Sequence, residues 1–312
     1  MEPYKQLEKE YTEFVGSKYA VSCNSGTSAL HLGLLALGVG EGDEVIVPDF
    51  TMAACAFAVS YTGARPIFAD VSTDNYAILP SEIERLINKK TKAIMAVHIY
   101  GKLAPMEEII RIARKHKIPV IEDACEAQGA VYNSKADITI YSFYRNKIIS
   151  AEEGGIITTN NKKYAKKAAY LKNMAFDKGH TYFHKNIGFN YRMSDGQALL
   201  ALESLHTYEA NTEKRRTLES IYNKYLPTPK RNAIWVYEVS VPKVAKKKIL
   251  KNISSARGSF KPLSTFPMYG SGNGMPGSKY LSDSLVLLPV SPSLSVKDVE
   301  DISKKVLGYL TK

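Results

Sequence analysis

Between Tyr19 and Thr159 the chain alternates short β-rich runs with stretches of helical period, and this alternation restricts the fold more than any other feature. Tyr19-Ala20-Val21-Ser22 is followed by a helical pattern over 28–37, and Glu44-Val45-Ile46-Val47 by one over 51–61. Pro66-Ile67-Phe68-Ala69 precedes a helix over 80–88, the run 92–97 precedes one over 105–116, and Ile118-Pro119-Val120-Ile121 ends in Glu122-Asp123. Continuous apolar strands joined by amphipathic helices predict an α/β class with a mainly parallel sheet and helices on both faces. Such sheets bind ligands at the carboxyl ends of their strands, so chemistry is sought in the residues just after each strand.

After Thr159 the pattern changes to long helical stretches over 162–174 and 194–225, then to Pro227-Thr228-Pro229, which reads as a boundary. With 312 residues, a large domain over 1–225 and a smaller C-terminal α+β domain over 226–312 are expected. The second contains a strand at 234–239, a lysine-rich helix, an irregular Gly/Pro/Ser-rich loop over 264–278 and a closing helix over 295–310.

The apolar runs 29–39 and 52–61 are too short to span a bilayer, and the N-terminus lacks a signal-peptide pattern, so a cytoplasmic protein without a membrane partner is expected. The formal charge of +11 comes largely from lysine runs at 162–167, 243–251 and the C-terminal end. These read as solvated faces rather than a nucleic-acid surface, since arginines and aromatics are not interleaved with them. A positive field that draws in an anionic small substrate, such as a nucleotide diphosphate sugar, is the functional alternative. Cys23, Cys55 and Cys125 lie in apolar stretches without metal-ligand spacing and read as buried free thiols, so no metal is expected.

Lys147 stands in the run Ser142-Phe143-Tyr144-Arg145-Asn146-Lys147-Ile148-Ile149, where the chain turns from one strand toward another. Burial lowers the pKa of an amine and makes it nucleophilic, as Schiff-base chemistry with a carbonyl cofactor requires. A lysine snorkelling from a strand end is the plainer alternative. Three strand-end features bear on the choice. Asn24-Ser25-Gly26-Thr27-Ser28 opens a helix, where free N–H groups and hydroxyls suit a phosphate or an ordinary N-cap. Asp123 places a carboxylate at a strand end, suited to a pyridinium nitrogen, a metal or solvent. Ser142 adds a hydroxyl that suits a phosphate contact or a strand-end cap.

In order along the chain come Ser25-Gly26-Thr27-Ser28-Ala29-Leu30-His31-Leu32, Gly42-Asp43-Glu44-Val45-Ile46-Val47-Pro48 and Ala96-Val97-His98-Ile99-Tyr100-Gly101. Ile121-Glu122-Asp123-Ala124-Cys125-Glu126-Ala127, the stretch 142–155 and Gly188-Phe189-Asn190-Tyr191-Arg192-Met193-Ser194 follow. Together they resemble the DegT/DnrJ/EryC1/StrS family of sugar aminotransferases, of the pyridoxal-phosphate-dependent transferase fold type I, over roughly residues 10–225. Within it, the contexts of Ile87 to Ala93 and Asn146-Lys147 are most similar to the GDP-perosamine synthase branch.

The resemblance implies pyridoxal 5'-phosphate as cofactor, passing through pyridoxamine phosphate, with Lys147 as cofactor-bearing lysine and acid-base group. It implies that Asp123 pairs with the ring nitrogen, that Glu126 lies near the phenolic oxygen, and that Gly26, Thr27, Ser28 and Ser142 hold the phosphate. Met52 falls where relatives place a stacking aromatic, and Asn190 where a residue reaches the phosphate of a neighbouring subunit. A homodimer with shared active sites follows. His184, with Tyr182 and Arg192 nearby, matches the substrate side, although a partly exposed loop histidine is the alternative. The implied reaction is amination of a nucleotide-linked 4-keto-6-deoxy sugar with L-glutamate as donor.

Departures from the family pattern are Met52, Ser264 where relatives often have histidine, a short link between Asp123 and Ser142, and a chain that begins almost at its first helix. They motivate a rival, a catalytically silent relative with a binding or regulatory role; an aminotransferase acting on a dTDP- or UDP-linked sugar is another. The dehydratase branch of the family has histidine in place of the lysine, and a dehydrogenase needs a glycine-rich fingerprint after the first strand. Neither matches this chain.

Overall fold

The computed structural model describes residues 2–177, 182–227 and 230–311. Helix α1 (Pro3–Val15) leads into β1 (Tyr19–Cys23), α2 (Gly26–Leu37), β2 (Glu44–Pro48), α3 (Ala54–Tyr61), β3 (Arg65–Ala69), α4 (Pro80–Leu86), β4 (Thr91–Val97), α5 (Met106–Lys115) and β5 (Val120–Asp123). Strands β6 (Ile138–Ser142) and β7 (Gly155–Thr159) complete a seven-stranded sheet in the order β1-β7-β6-β5-β4-β2-β3. Strands β2 to β6 pair in parallel, while β7 runs antiparallel to both β1 and β6.

Alternate residues of one strand enter different cores, as the two-residue period of a strand requires. In β4, Ala93, Met95 and Val97 join the cluster that includes α2 and α3, whereas Ile94 and Ala96 pack with Ile109 and Ile112 of α5. Both faces are therefore covered. Each fully buried Ile, Val or Met stabilises by roughly 1.5–3 kcal/mol, which explains the unbroken apolar runs.

Beyond α6 (Lys162–Lys172), the helical stretch expected as one unit over 194–225 is two helices, α7 (Asp195–His206) and α8 (Tyr208–Tyr222). Thr207 caps the first at φ −96°, ψ 8°, its hydroxyl on the Glu203 carbonyl at 3.0 Å. The break lets two apolar faces serve two cores. Ala198, Ala201 and Leu202 pack with Leu7 and Tyr11 of α1, while Leu218, Ile221 and Tyr222 pack in a separate core with β8 (Tyr237–Ser240) and α9 (Lys243–Asn252). Strand β8 joins β9 (Arg257–Gly258) and β10 (Leu285–Leu288) in a three-stranded antiparallel sheet of order β8-β10-β9, and α11 (Val296–Leu310) closes this core. Of the expected boundary tripeptide, Thr228 and Pro229 lie outside the described residues.

The stretch expected as an irregular loop over 264–278 is partly ordered, with α10 (Pro276–Ser284) beginning inside it. Two carboxylates of the large sheet hold it. Asp49 accepts from the Ser264 N–H at 2.7 Å and the Met275 N–H at 3.2 Å, and Asp70 accepts from the first-turn N–H groups of Gly277 and Ser278 at 3.0 Å. An acid at a helix N-terminus also suits the helix dipole. The Ser264 hydroxyl itself is buried without a hydrogen-bond partner among the described residues.

Candidate active site

The carboxyl ends of β1, β5 and β6 bring the loop at Ser25, Asp123 and Ser142 to the floor of one cleft of about 860 Å³. Trp235, Arg257 and Val290, from the side of the three-stranded sheet, form part of its opposite wall. The cleft thus lies at the strand ends where the sequence reading looks for chemistry.

Lys147 sits in the excursion between β6 and β7, and the excursion is folded back on itself. The Phe143 N–H donates to the Gly154 carbonyl at 2.8 Å, Ala151 N–H to Phe143 at 2.7 Å and Arg145 N–H to Glu152 at 2.9 Å. The buried Gln128 side chain donates to the carbonyls of Ser142 and Ile149 at 3.0 Å and accepts from the Ile149 N–H at 2.8 Å. One amide thus clamps both ends of the segment that carries the lysine. The Lys147 amine lies 3.7 Å from Glu126 Oε1 and 3.9 Å from the centroid of the Trp235 ring, whose N–H donates to the Asn146 carbonyl at 2.8 Å.

Glu126 also accepts from the Tyr100 N–H at 2.9 Å. Burial pushes its carboxyl up to about 7, opposed by the Lys147 charge and the Tyr100 hydrogen bond. A buried carboxyl beside an amine places two groups able to carry a proton at one point of the cleft. Asp123 accepts from the Cys125 N–H at 2.9 Å and from the Cys55 thiol at 3.3 Å. Burial, reinforced by the Asp123 charge, holds that thiol well above its ordinary pKa, so it stays protonated and donates.

At the start of α2, Ser25 and Ser28 form a reciprocal capping box, and the Ser28 hydroxyl is also within 2.7 Å of Asn24 Oδ1. Ser28 is therefore a cap residue and does not line the cleft, whereas Gly26, Thr27 and Ser142 do. A Cβ on Gly26 would lie 2.9 Å from Ser142 Cβ, and one on Gly155 would lie 2.5 Å from the Ser25 carbonyl oxygen. Glycine at both positions lets the loop backbone settle against the ends of β6 and β7. The cap takes the Ser28 N–H and leaves those of Gly26 and Thr27, at the positive end of α2, for an oxyanion.

Met52 lines the same cleft at 55% exposure. Four other expected residues do not reach it within this chain. Asn190 pairs with Asn173 in an isolated bridge, and Arg192 donates to Asn173 Oδ1 at 3.0 Å. His184 Nδ1 is 2.8 Å from the Met174 carbonyl in a separate shallow depression, and Tyr182 is 95% exposed. Conversely, the sequence reading passed over Gln128, Trp235, Tyr100 and Arg215. Gln128 directly follows the quoted 121–127 run, and Trp235 is the single tryptophan, so both carried a signal.

Backbone N–H groups that can seat a phosphate, a buried carboxylate with acceptor capacity to spare and a near-buried lysine amine line one cleft and fit a phosphorylated pyridine aldehyde. The family profile described as "DegT/DnrJ/EryC1/StrS aminotransferase family" matches residues 2–307. The chain is 35% identical to GDP-perosamine synthase of Caulobacter vibrioides over 288 residues, 85% of this chain and 78% of the relative. It is 39% identical to UDP-N-acetyl-3-dehydro-alpha-D-glucosamine 3-aminotransferase of Acidithiobacillus ferrooxidans over 228 residues, 71% of this chain and 61% of the relative. Among solved structures, NtdA of Bacillus subtilis with bound cofactor PMP superposes with a TM-score of 0.88 at 29% identity, covering 98% of this chain and 77% of that one.

Proposed function

The chain belongs to the DegT/DnrJ/EryC1/StrS aminotransferase family and is a pyridoxal-phosphate-dependent sugar aminotransferase; from that premise we propose that it converts a GDP-linked 4-keto-6-deoxy sugar to the 4-amino sugar, with L-glutamate as donor. The observation that carries the chemistry is the Lys147 amine, held beside Glu126 in a cleft floored by Asp123. When bound, the cofactor supplies the electron sink that lets an amino group leave the donor and join the keto acceptor. In our reading, Asp123 keeps a proton on the ring nitrogen, and the N–H groups of Gly26 and Thr27, with the Ser142 hydroxyl, hold the phosphate. Lys147 moves the proton at its Nζ, with Glu126 as the neighbouring carboxyl that sets its charge.

The choice of a GDP-linked substrate is supported by similarity to proteins named GDP-perosamine synthase from three bacteria at 32–35% identity. The Ile87 to Ala93 likeness does not add to it, because Asn88 binds Glu44 Oε2 at 2.8 Å, at the amino end of β2 and away from the cleft. Asn190, Tyr182, His184 and Arg192 lie outside the cleft of their own chain, which favours a homodimer in which they serve the partner's site. We further propose that residues 1–225 hold the cofactor, apart from α8, which packs with 226–312 and with them closes the cleft, and that the enzyme works in the cytoplasm.

A UDP-linked acceptor is the second reading, favoured by the 39% identity to the enzyme from A. ferrooxidans. The test is product analysis with glutamate and a panel of GDP-, dTDP- and UDP-linked keto sugars. Amino-sugar product from the GDP-linked 4-keto-6-deoxy sugar supports the proposal; product from UDP- or dTDP-linked sugars alone overturns it.

A further inference from the structure

Arg215 lies on α8, is 6% exposed and lines the cleft. Its Nη1 approaches the carbonyls of Trp235 at 3.2 Å, Val290 at 3.3 Å and Ile234 at 3.5 Å, while its buried Nε has no hydrogen-bond partner. Among the described residues it forms no ion pair, and Glu219, one turn along α8, is engaged with Arg231 at 3.3 Å instead. Arg231 lies 2.8 Å from Glu238 and Lys172 lies 3.1 Å from Glu8, whereas buried Lys246, also without an ion pair among the described residues, donates to the Ser282 carbonyl at 2.6 Å and does not line the cleft. Burial lowers the Arg215 pKa to about 10, which still leaves it charged at neutral pH. A desolvated guanidinium without a counter-ion is costly to bury, and its donors are suited to carboxylate or phosphate oxygens.

Trp235 connects this cation to the reactive lysine. Its backbone carbonyl is on Arg215, and its ring is 3.9 Å from the Lys147 amine. The hydroxyl residues Ser254, Ser255 and Ser291 line the same cleft. The acids of the cleft, Asp123, Glu126 and Glu153, are not paired with Arg215; Glu126 is on Lys147.

We infer that Arg215 forms an oxyanion subsite in the wall of the cleft that receives a carboxylate of the amino donor. This rests on the reading that a dicarboxylic amino acid supplies the nitrogen. A donor whose amine is presented toward Lys147 extends a carboxylate across Trp235, where the unpaired guanidinium waits. A phosphate of the sugar nucleotide shares the same chemistry, and the experiment separates the two.

The holoenzyme and its Arg215→Met and Arg215→Lys variants are titrated calorimetrically with glutarate, a dicarboxylate that cannot react, and separately with GDP. Glutarate binding is expected to weaken ~10-fold or more in Arg215→Met and less in Arg215→Lys, with GDP affinity within about twofold of wild type. Loss of GDP affinity with glutarate unchanged would support the oxyanion subsite and overturn its assignment to the donor. Unchanged affinity for both in a folded variant would overturn the subsite. Should Arg215→Met fail to fold, Arg215→Lys keeps a cation among the three carbonyls and carries the same comparison. Neither titration uses a keto sugar, so an error in the acceptor assignment would leave the result standing.

Discussion

The two walls of the cleft are built differently. On the side of the seven-stranded sheet, Lys147, Asp123, Glu126 and the Gly26 loop are fixed by backbone hydrogen bonds at or near strand ends, and each polar group has a defined neighbour. On the side of the three-stranded sheet, Trp235 and Arg215 project from a loop and a helix, and Arg215 is a buried cation with no anion paired to it among the described residues. The first wall holds its side chains by contacts within the chain and leaves the Gly26 and Thr27 N–H groups for the cofactor; the second leaves a cation for what else binds. The difference teaches where to look for chemistry and where for selectivity.

Substitutions in the first wall should therefore act on the reaction, and those in the second on binding. Lys147→Ala is expected to lose ~10³-fold or more in amino transfer from glutamate while melting near the wild-type temperature, as single-turnover kinetics and calorimetry would read. Gly155→Ala places a Cβ against the Ser25 carbonyl, so it should cost about 2–3 kcal/mol and weaken cofactor affinity, measured by denaturant unfolding and cofactor titration. Equal stability would show that the loop does not rest on β7.

A third expectation concerns pH. Glu126 holds its proton up to about 7 in the folded protein but releases it near 4.5 when unfolded, so this group makes stability fall as pH rises between those values. In cofactor-free protein, Glu126→Gln should remove a decline on the order of 1–3 kcal/mol from the wild-type pH profile. The smallest effect separates a cap from a ligand. Ser28→Ala should cost about 1 kcal/mol in stability and leave cofactor affinity nearly unchanged, whereas Ser142→Ala, which removes the hydroxyl assigned to the phosphate, should weaken the cofactor with a smaller effect on stability.

Much of the first wall was legible in the sequence because apolar runs fix strands, and strands fix where their last residues point. Asp123 and Ser142 are legible in that way as strand-end residues, while Lys147 stands out as a lysine beside apolar residues where the chain turns from one strand toward another. For Ser28 the sequence leaves a phosphate contact and an ordinary cap open, because both use the same residue types at the same helix end; the hydrogen bonds show the cap. Arg215 lies in the polar run Glu213-Lys214-Arg215-Arg216, where no pattern shows which side chain turns inward until α8 packs. The single helix read over 194–225 failed for a related reason. Its two halves each bury a few residues in a different core, and only those separate cores explain the break at Thr207.

The central claim is that Lys147 is the residue that bears the cofactor. Borohydride reduction of protein loaded with pyridoxal phosphate, followed by digestion and peptide mass analysis, tests it directly. The cofactor should be found covalently fixed on the peptide containing Lys147 and absent after Lys147→Ala. A cofactor adduct on another lysine, or none at all, would contradict the account.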